Sequence, residues 1–181
     1  MRELSAAPRG AERLDGLEIR ATRPEDGAAI HALIERCGTL ELNSAYAYVL
    51  LADHFRDTSV VAVHEGALVG AVVGHRPPTR PDAVFVWQVG VDPSMRGRRL
   101  GIALLRAFAS APGARGARFL EATVAPSNEP SRALFASFAR DLGAALHEAP
   151  GYPASLFPAG HEPEHLLRIG PLTPDLRGDS R

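Results

Sequence analysis

The sequence predicts an α+β fold of three layers, a sheet covered by helices on both faces, and three observations carry that prediction. The stretch Ala83 to Val91 is a run of apolar, β-branched and aromatic residues in which both alternating faces are mostly apolar, the composition of a central strand covered on two sides. It stops at Asp92-Pro93 and continues through a Gly/Arg loop into the helical spacing Leu100, Leu104, Leu105, Phe108. Ser59–His64 and Ala67–Arg76 read as two further strands joined at Glu65-Gly66, a tight hairpin turn.

Composition bounds the rest. A chain of 181 residues, 45% apolar and with a net charge of −1, fits one soluble domain able to bury a core. Near-neutral charge argues against nucleic acid or an anionic membrane as the main partner, because both require a basic surplus on one face. No apolar stretch reaches the length of a membrane span, and the N-terminus lacks a hydrophobic signal core, so a cytoplasmic location is expected. The single cysteine, Cys37, ends an amphipathic pattern and reads as a core-edge residue that forms no internal disulfide. The chain contains no lysine, which excludes a Walker phosphate loop, Schiff-base chemistry and pyridoxal phosphate anchoring.

Taken in order, residues 1–16 are rich in Ala, Arg, Pro and Gly without periodicity and are expected to be disordered, leaving a domain over 17–171 and a tail over 172–181. Leu17 to Ala21 reads as a first strand. Thr22-Arg23-Pro24-Glu25 combines a capping box with a proline near the first helical position; Ile30, Leu33, Ile34 and Cys37 mark one helix face, and Gly38 is the stop. Asn43 or Ser44 caps a second helix with Ala47, Leu50, Leu51 and His54 as its buried stripe. Pro77 to Pro81 reads as a stiff loop with few internal hydrogen bonds. In the strand that follows, Phe85, Trp87, Val89 and Val91 share one face and Val84, Val86, Gln88 and Gly90 the other. A helix runs from about Gly97 to Ser110, then a strand over Phe119–Val124, in which Glu121 must either face solvent or meet a cation. The next helix starts at Pro126 to Ser131 and carries Leu134, Phe135 and Phe138 on one face.

The segment from His161 to His165 matches H-E-x-x-H, the spacing of a zinc protease site. That site requires both histidines on one helix face, and Pro163 breaks such a helix, so the segment reads as a loop entering a final strand over Leu166–Ile169, with no metal.

The Gly/Arg loop carries the first hint of chemistry. In a strand–loop–helix unit the loop N–H groups and the first helical turn aim unpaired donors at one spot, where Arg96, Arg98 and Arg99 add fixed positive charge, so the spot suits a diphosphate. The bland alternative is a solvated connection. The dinucleotide fingerprint G-x-G-x-x-G is absent.

The segment Arg96 to Gly101 resembles the acyl-CoA loop of the Gcn5-related N-acetyltransferases, with the pattern Gln/Arg-x-x-Gly-x-Gly/Ala after the fourth strand. Arg96 and Gly101 match its ends, and Arg99 stands where glycine is usual. Leu40 to Tyr48, Phe85 to Val89, Leu120 to Asn128, and His161 to Glu164 with Arg168 to Pro171 are together similar to the L-2,4-diaminobutyrate acetyltransferases, a branch serving ectoine synthesis. This resemblance covers nearly all of the chain after about residue 17. It implies a mixed, mostly antiparallel sheet whose strands 4 and 5 splay apart. Acetyl-CoA would lie in the splay along Val89, Gly90 and Val91, with Asn128 and Ser131 beside its pantetheine arm. Its pyrophosphate would sit on Arg96, Gly97, Arg98, Arg99, Leu100, Gly101 and Ile102. Read without the resemblance, Asn128 is a plain helix cap.

For L-2,4-diaminobutyrate, the resemblance implies a wall of Glu41, Asn43, Ser44, Tyr46, Tyr48, Trp87, Glu121 and His161, with Glu121 as first and Glu41 as second candidate for the general base. The usual aspartate of that wall is Glu41 here. Phe135 replaces a tyrosine that many relatives use as the acid for the departing thiolate, so the thiolate either leaves unassisted or collects its proton from water or Tyr152. Relatives are typically homodimers. The alternatives are an acetyltransferase for another small amine or a polyamine, and a non-catalytic acyl-CoA sensor.

Overall fold

The structure, a computed structural model, describes residues 16–38 and 40–173. Leu17–Ala21 forms β1, followed by α1 (Gly27–Cys37), α2 (Ala45–His54), the hairpin β2 (Val60–His64) and β3 (Ala67–His75), β4 (Ala83–Val91), α3 (Leu100–Ala109), β5 (Phe119–Val124), α4 (Glu129–Leu142), β6 (Ala145–Tyr152) and β7 (Glu164–Gly170). One sheet contains all seven strands in the order β1-β2-β3-β4-β5-β7-β6. Every neighbouring pair is antiparallel except β4 and β5, which run parallel.

Two cores lie on opposite faces of this sheet, as a central strand apolar on both sides requires. On one face Ile30, Leu33 and Ile34 of α1 and Tyr48 and Leu51 of α2 pack on Val61, Ala71 and Val73. On the other, Leu104, Leu105 and Phe108 of α3 and Phe135 and Phe138 of α4 pack on Val72, Val84, Val86, Leu120 and Ala122. Each of these large apolar side chains contributes roughly 1.5–3 kcal/mol by leaving water.

Several expectations shift by a residue, each for a packing reason. The reciprocal cap before α1 is made by Asp26 rather than Glu25: Arg23 N–H donates to Asp26 Oδ2 at 2.8 Å and Asp26 N–H to Arg23 O at 2.9 Å. Thr22 is buried, and its hydroxyl donates to Ala52 O at 2.9 Å, tying β1 to α2. Ser44 caps α2, but the buried stripe is Tyr48, Leu51 and Ala52, with His54 exposed. The loop at Pro77 to Pro81 does close on itself, through Arg80 N–H to Pro77 O at 3.0 Å and Ala83 N–H to Arg80 O at 3.1 Å. Strand β7 begins at Glu164, and β6 has no counterpart in the sequence reading. Pro150 and Gly151 break its pattern, which an edge strand tolerates because one side of its backbone has no strand to pair with. The disorder expected for 1–16 and the tail expected for 172–181 fall outside the described residues, apart from Gly16, Leu172 and Thr173. Leu172 is buried and its N–H donates to Arg118 O at 2.7 Å, so packing continues past Pro171.

Two irregularities in β4 matter for the site. Its register with β3 slips between Val73↔Gln88 and Gly74↔Val86, a β-bulge that leaves Trp87 unpaired. The slip reverses the alternation, so the expected sorting of β4 by strict twos is wrong: Val84 and Val86 face α3, whereas Gln88 and Gly90 face α1 and α2. The pairing of β4 with β5 also stops at Val86↔Ala122, although both strands continue, to Val91 and Val124. Beyond that point the strands part.

Just on the closed side of the parting lies Glu121, fully buried. Arg80 Nε donates to its Oε2 at 2.8 Å, and an Arg168 terminal nitrogen donates to its Oε1 at 2.7 Å. Arg168 also reaches Asp82 Oδ2 at 2.7 Å and lies 3.8 Å over the ring of Phe119. The buried carboxylate therefore meets cations, and one ion network ties β5, β7 and the entry to β4 together. We expect Glu121→Ala to lower the free energy of unfolding by about 3 kcal/mol, the low end for a broken buried pair because both arginines reach water; a urea melt measures this. A loss below about 0.5 kcal/mol, the size of an ordinary surface substitution, would contradict the network's role.

Candidate active site

The parted strands form a continuous cleft with two chambers that share Leu40, Val89 and Ser131. The strand edges lining it carry backbone groups with no strand to pair with. Asp92 N–H donates to Val69 O at 2.9 Å, so alternation places Gly90 N–H on the β3 side as well and turns the N–H groups of Val89 and Val91 toward the cleft.

One chamber, about 630 Å³, runs from Val89, Gly90 and Val91 to the loop before α3 and the first turns of α4. Helix α3 begins at Leu100, later than the expected Gly97, because the chain first turns through left-handed backbone. Gly97 has φ +77°, and Arg99 has φ +60° and ψ +15°. That conformation explains why glycine suits position 99, since a side chain there is strained. The first helical bond runs from Ala103 N–H to Arg99 O at 3.1 Å, and among the described residues no backbone acceptor meets the N–H groups from Gly97 to Ile102. This is a row of donors at a helix N-terminus, suited to an anion. Arg99 also lines this chamber, and its guanidinium is paired with Asp141 of α4, which accepts from Arg106 Nε at 2.8 Å. Arg96 donates to Cys37 O at 3.3 Å along the chamber wall, whereas Arg98 is exposed and lines neither chamber. Asn128 caps α4 by accepting from Ser131 N–H at 3.2 Å, and both residues line the cleft, so the cap and a lining position coincide.

The other chamber, about 580 Å³, is bounded by Glu41, Trp87 at the bulge, Phe135, and the segment from Tyr152 to Glu164. His161 is here, its ring stacked on Phe157 with centroids 4.1 Å apart. Its Nδ1 lies 2.6 Å from Glu162 O, which can only accept, so Nδ1 carries a proton. Phe135 occupies the wall without a hydroxyl, and Tyr152 lines it with one.

Glu164 is the residue the sequence reading missed. It opens β7 and lines this chamber, and burial pushes its carboxyl above the usual value. The His161 charge opposes that rise, the Glu41 charge adds to it, and a Thr123 hydrogen bond opposes it. The signal in the sequence was present but disguised, because Glu164 stands inside the H-E-x-x-H match. In the fold that segment is loop and strand, and His165 turns away to Glu148, with Nδ1 2.7 Å from Oε1. Among the described residues no group of three or more His, Cys, Asp or Glu could hold a metal ion.

Other expected wall residues lie elsewhere. Glu121 lines neither chamber, and each of its oxygens accepts from an arginine. Tyr48 is fully buried behind the wall, its hydroxyl bonded to Gln88. Tyr46 is 69% exposed on α2, and Asn43 and Ser44 serve the start of that helix; none of the three lines the chamber.

A sheet that parts between its two parallel strands, with an anion-ready loop below one of them, defines an acyl-CoA-dependent transferase fold, and the chain belongs to the acetyltransferase (GNAT) family, whose model matches residues 19–139. Within that family its relatives are L-2,4-diaminobutyric acid acetyltransferases. The protein of Bordetella parapertussis is 46% identical over 157 residues, 86% of this chain and 84% of the relative. That of Nocardia farcinica is 40% identical over 167 residues, 92% of this chain and 86% of the relative. Among solved structures, the diaminobutyrate acetyltransferase of Paenibacillus lautus, in complex with L-2,4-diaminobutyric acid and coenzyme A, has a TM-score of 0.81 at 41% identity, covering 86% of this chain and 95% of its own.

The raised carboxyl of Glu164 has a consequence for stability with a definite sign. The folded state holds that proton more tightly than the unfolded chain does, so stability is greatest below the ordinary value of 4.5 and declines as pH rises through the raised folded value. Glu164→Gln removes this decline. The melting temperature of the variant should gain on wild type between pH 4 and 8, and a constant difference over that range would show that Glu164 is not shifted in this way.

Proposed function

We propose that the chain transfers the acetyl group of acetyl-CoA to the γ-amine of L-2,4-diaminobutyrate, giving N4-acetyl-L-2,4-diaminobutyrate, a step of ectoine synthesis. The observation that carries this reading is the single cleft in which an anion-binding loop and a carboxylate-lined chamber meet at the parting of β4 and β5. The relatives named for this reaction, and the homologous structure holding both ligands, support it.

In this reading the diphosphate of the cosubstrate rests on the free N–H groups from Gly97 to Ile102, with Arg96 adding charge, and its arm runs along the edge of β4. The thioester oxygen accepts a hydrogen bond from Val89 or Val91 N–H, which strengthens as the tetrahedral oxyanion forms. The acceptor must attack as a free amine, although a primary amine with a pKa near 10 is almost wholly protonated at neutral pH. Glu164 and Glu41, both on the chamber wall, attract the ammonium, and one of them takes its proton. The raised carboxyl of Glu164 makes it the better matched base. Trp87, Phe135 and Phe157 limit water around the reacting atoms. Collapse of the intermediate breaks the carbon–sulfur bond, and the thiolate collects a proton from water or Tyr152. Two carbons separate the amines of the substrate, so position must be set by holding the α-amino acid end. A homologue one methylene longer is rejected by only about 1–3 kcal/mol in an apolar pocket, and slow acetylation of ornithine is expected. The reading includes a homodimer acting in the cytoplasm. No described helix is long and apolar enough to cross a membrane.

The test is a thiol-release assay with acetyl-CoA and diaminobutyrate, ornithine, lysine and spermidine in parallel, with the product's acetyl position read by NMR. Selective acetylation at the γ-nitrogen of diaminobutyrate is expected; preference for spermidine, or no turnover, would overturn the reading. Glu164→Gln should lower kcat by roughly 10²–10⁴-fold, the usual contribution of a general base. Wild-type kcat/KM should fall as pH drops through the raised value of Glu164, because the base works deprotonated, and the variant should lose that limb.

A further inference from the structure

The bulge in β4 does more than expose Trp87. By reversing the alternation it takes Gln88 out of the α3 core and sets it, 8% exposed, between β4 and the segment that connects α1 to α2. There Gln88 Nε2 donates to Glu41 O at 2.6 Å, Tyr48 Oη donates to Gln88 Oε1 at 2.9 Å, and Asn43 N–H donates to Tyr48 Oη at 3.2 Å. The direction of this chain is fixed at both ends. A backbone N–H can only donate and a backbone carbonyl can only accept, so the hydroxyl must point at Gln88 and the amide must turn its nitrogen toward Glu41. Tyr48 itself is fully buried among the α1 and α2 side chains, with its ring edge-on to His31, and cannot drift.

We propose that Tyr48 and Gln88 are positioning residues for the acetyl acceptor: together they hold the backbone of residues 41 to 43 against β4 and thereby fix the point from which the Glu41 carboxylate enters the chamber. Neither side chain has to touch the amine's reacting nitrogen. Without the two bonds, the packing of Leu40 and the helix-capping contact at Ser44 still hold the ends of the segment, but the Glu41 carboxylate between them samples positions away from the ammonium. The diphosphate loop lies at the other end of the cleft and is anchored by separate contacts to Cys37 and Asp141, so the effect is confined to the acceptor. The inference rests on the reading of Glu41 as an acceptor-side carboxylate.

The experiment is steady-state kinetics on Tyr48→Phe, Gln88→Glu, Glu41→Gln and the Tyr48→Phe/Glu41→Gln pair. Tyr48→Phe keeps the buried ring and deletes only the hydroxyl; Gln88→Glu keeps the acceptor for Tyr48 and deletes the donor to Glu41 O. Each should reduce kcat/KM for diaminobutyrate by about tenfold, the scale expected when a reacting group is misplaced without being removed, while the KM for acetyl-CoA stays within about twofold. In the Glu41→Gln background Tyr48→Phe should cost less than about twofold further, because both changes act through one side chain. A rise in both KM values together, or full additivity with Glu41→Gln, would reduce the strut to ordinary structural support and overturn the proposal. An impaired Glu41→Gln beside an unaffected Tyr48→Phe would overturn this inference alone, whereas wild-type kinetics in Glu41→Gln would remove the reading of Glu41 on which it rests.

Discussion

The structure depends on one interruption of hydrogen bonding. Two parallel strands at the centre of a sheet pair from Ala83↔Phe119 to Val86↔Ala122 and then separate while both continue. A buried backbone N–H without a partner costs as much as a lost hydrogen bond, so such a parting persists only where something other than a strand satisfies the exposed edge. In the proposed reading the vacated edge of β4 is the surface along which the cosubstrate's arm makes the missing bonds, while the two cores pack on either face of the sheet. At the point where pairing ends, the Glu121 network locks β5 to β7 and to the entry of β4, so the parting begins at a defined residue.

The two ends of the cleft use different physics. At the α3 end, the groups that suit an anion are backbone: left-handed turns at Gly97 and Arg99 delay the helix and leave a row of N–H donors without a backbone acceptor among the described residues. The guanidinium of Arg99 is paired with Asp141 of α4. At the other end, the groups that suit a cation are side chains. Glu41 and Glu164 arrive from segments 123 residues apart in sequence, and burial between them keeps Glu164 less acidic than an ordinary glutamate. The bulge in β4 couples the two ends. It presents Trp87 to the acceptor chamber, turns Gln88 to the strut behind Glu41, and sets the alternation that aims the Val89 and Val91 N–H groups into the cleft.

What the sequence by itself determined is local and periodic. The β4 run, the helix faces of α1 and α3, the Glu65-Gly66 turn, the Gly38 stop and the Arg96 to Gly101 loop were all legible, because each depends on neighbours within a few residues. The family resemblance implied a shared wall for Glu41, Trp87 and His161, which line one chamber, and Pro163 alone was enough to read the H-E-x-x-H match as loop and strand. Tertiary structure decided the roles of residues whose partners are distant in sequence. Glu121 in the sequence had to face solvent or meet a cation, and the fold supplies two cations, Arg80 and Arg168, from 41 and 47 residues away. Tyr48 looked like a pocket wall until the packing of α2 turned it inward to Gln88, and Glu164 acquired its altered carboxyl only from burial beside Glu41 and His161. A one-residue bulge reverses every face beyond it and leaves no trace in composition, so which side chain enters a cleft is fixed by strand register and long-range pairing, which a local pattern does not encode.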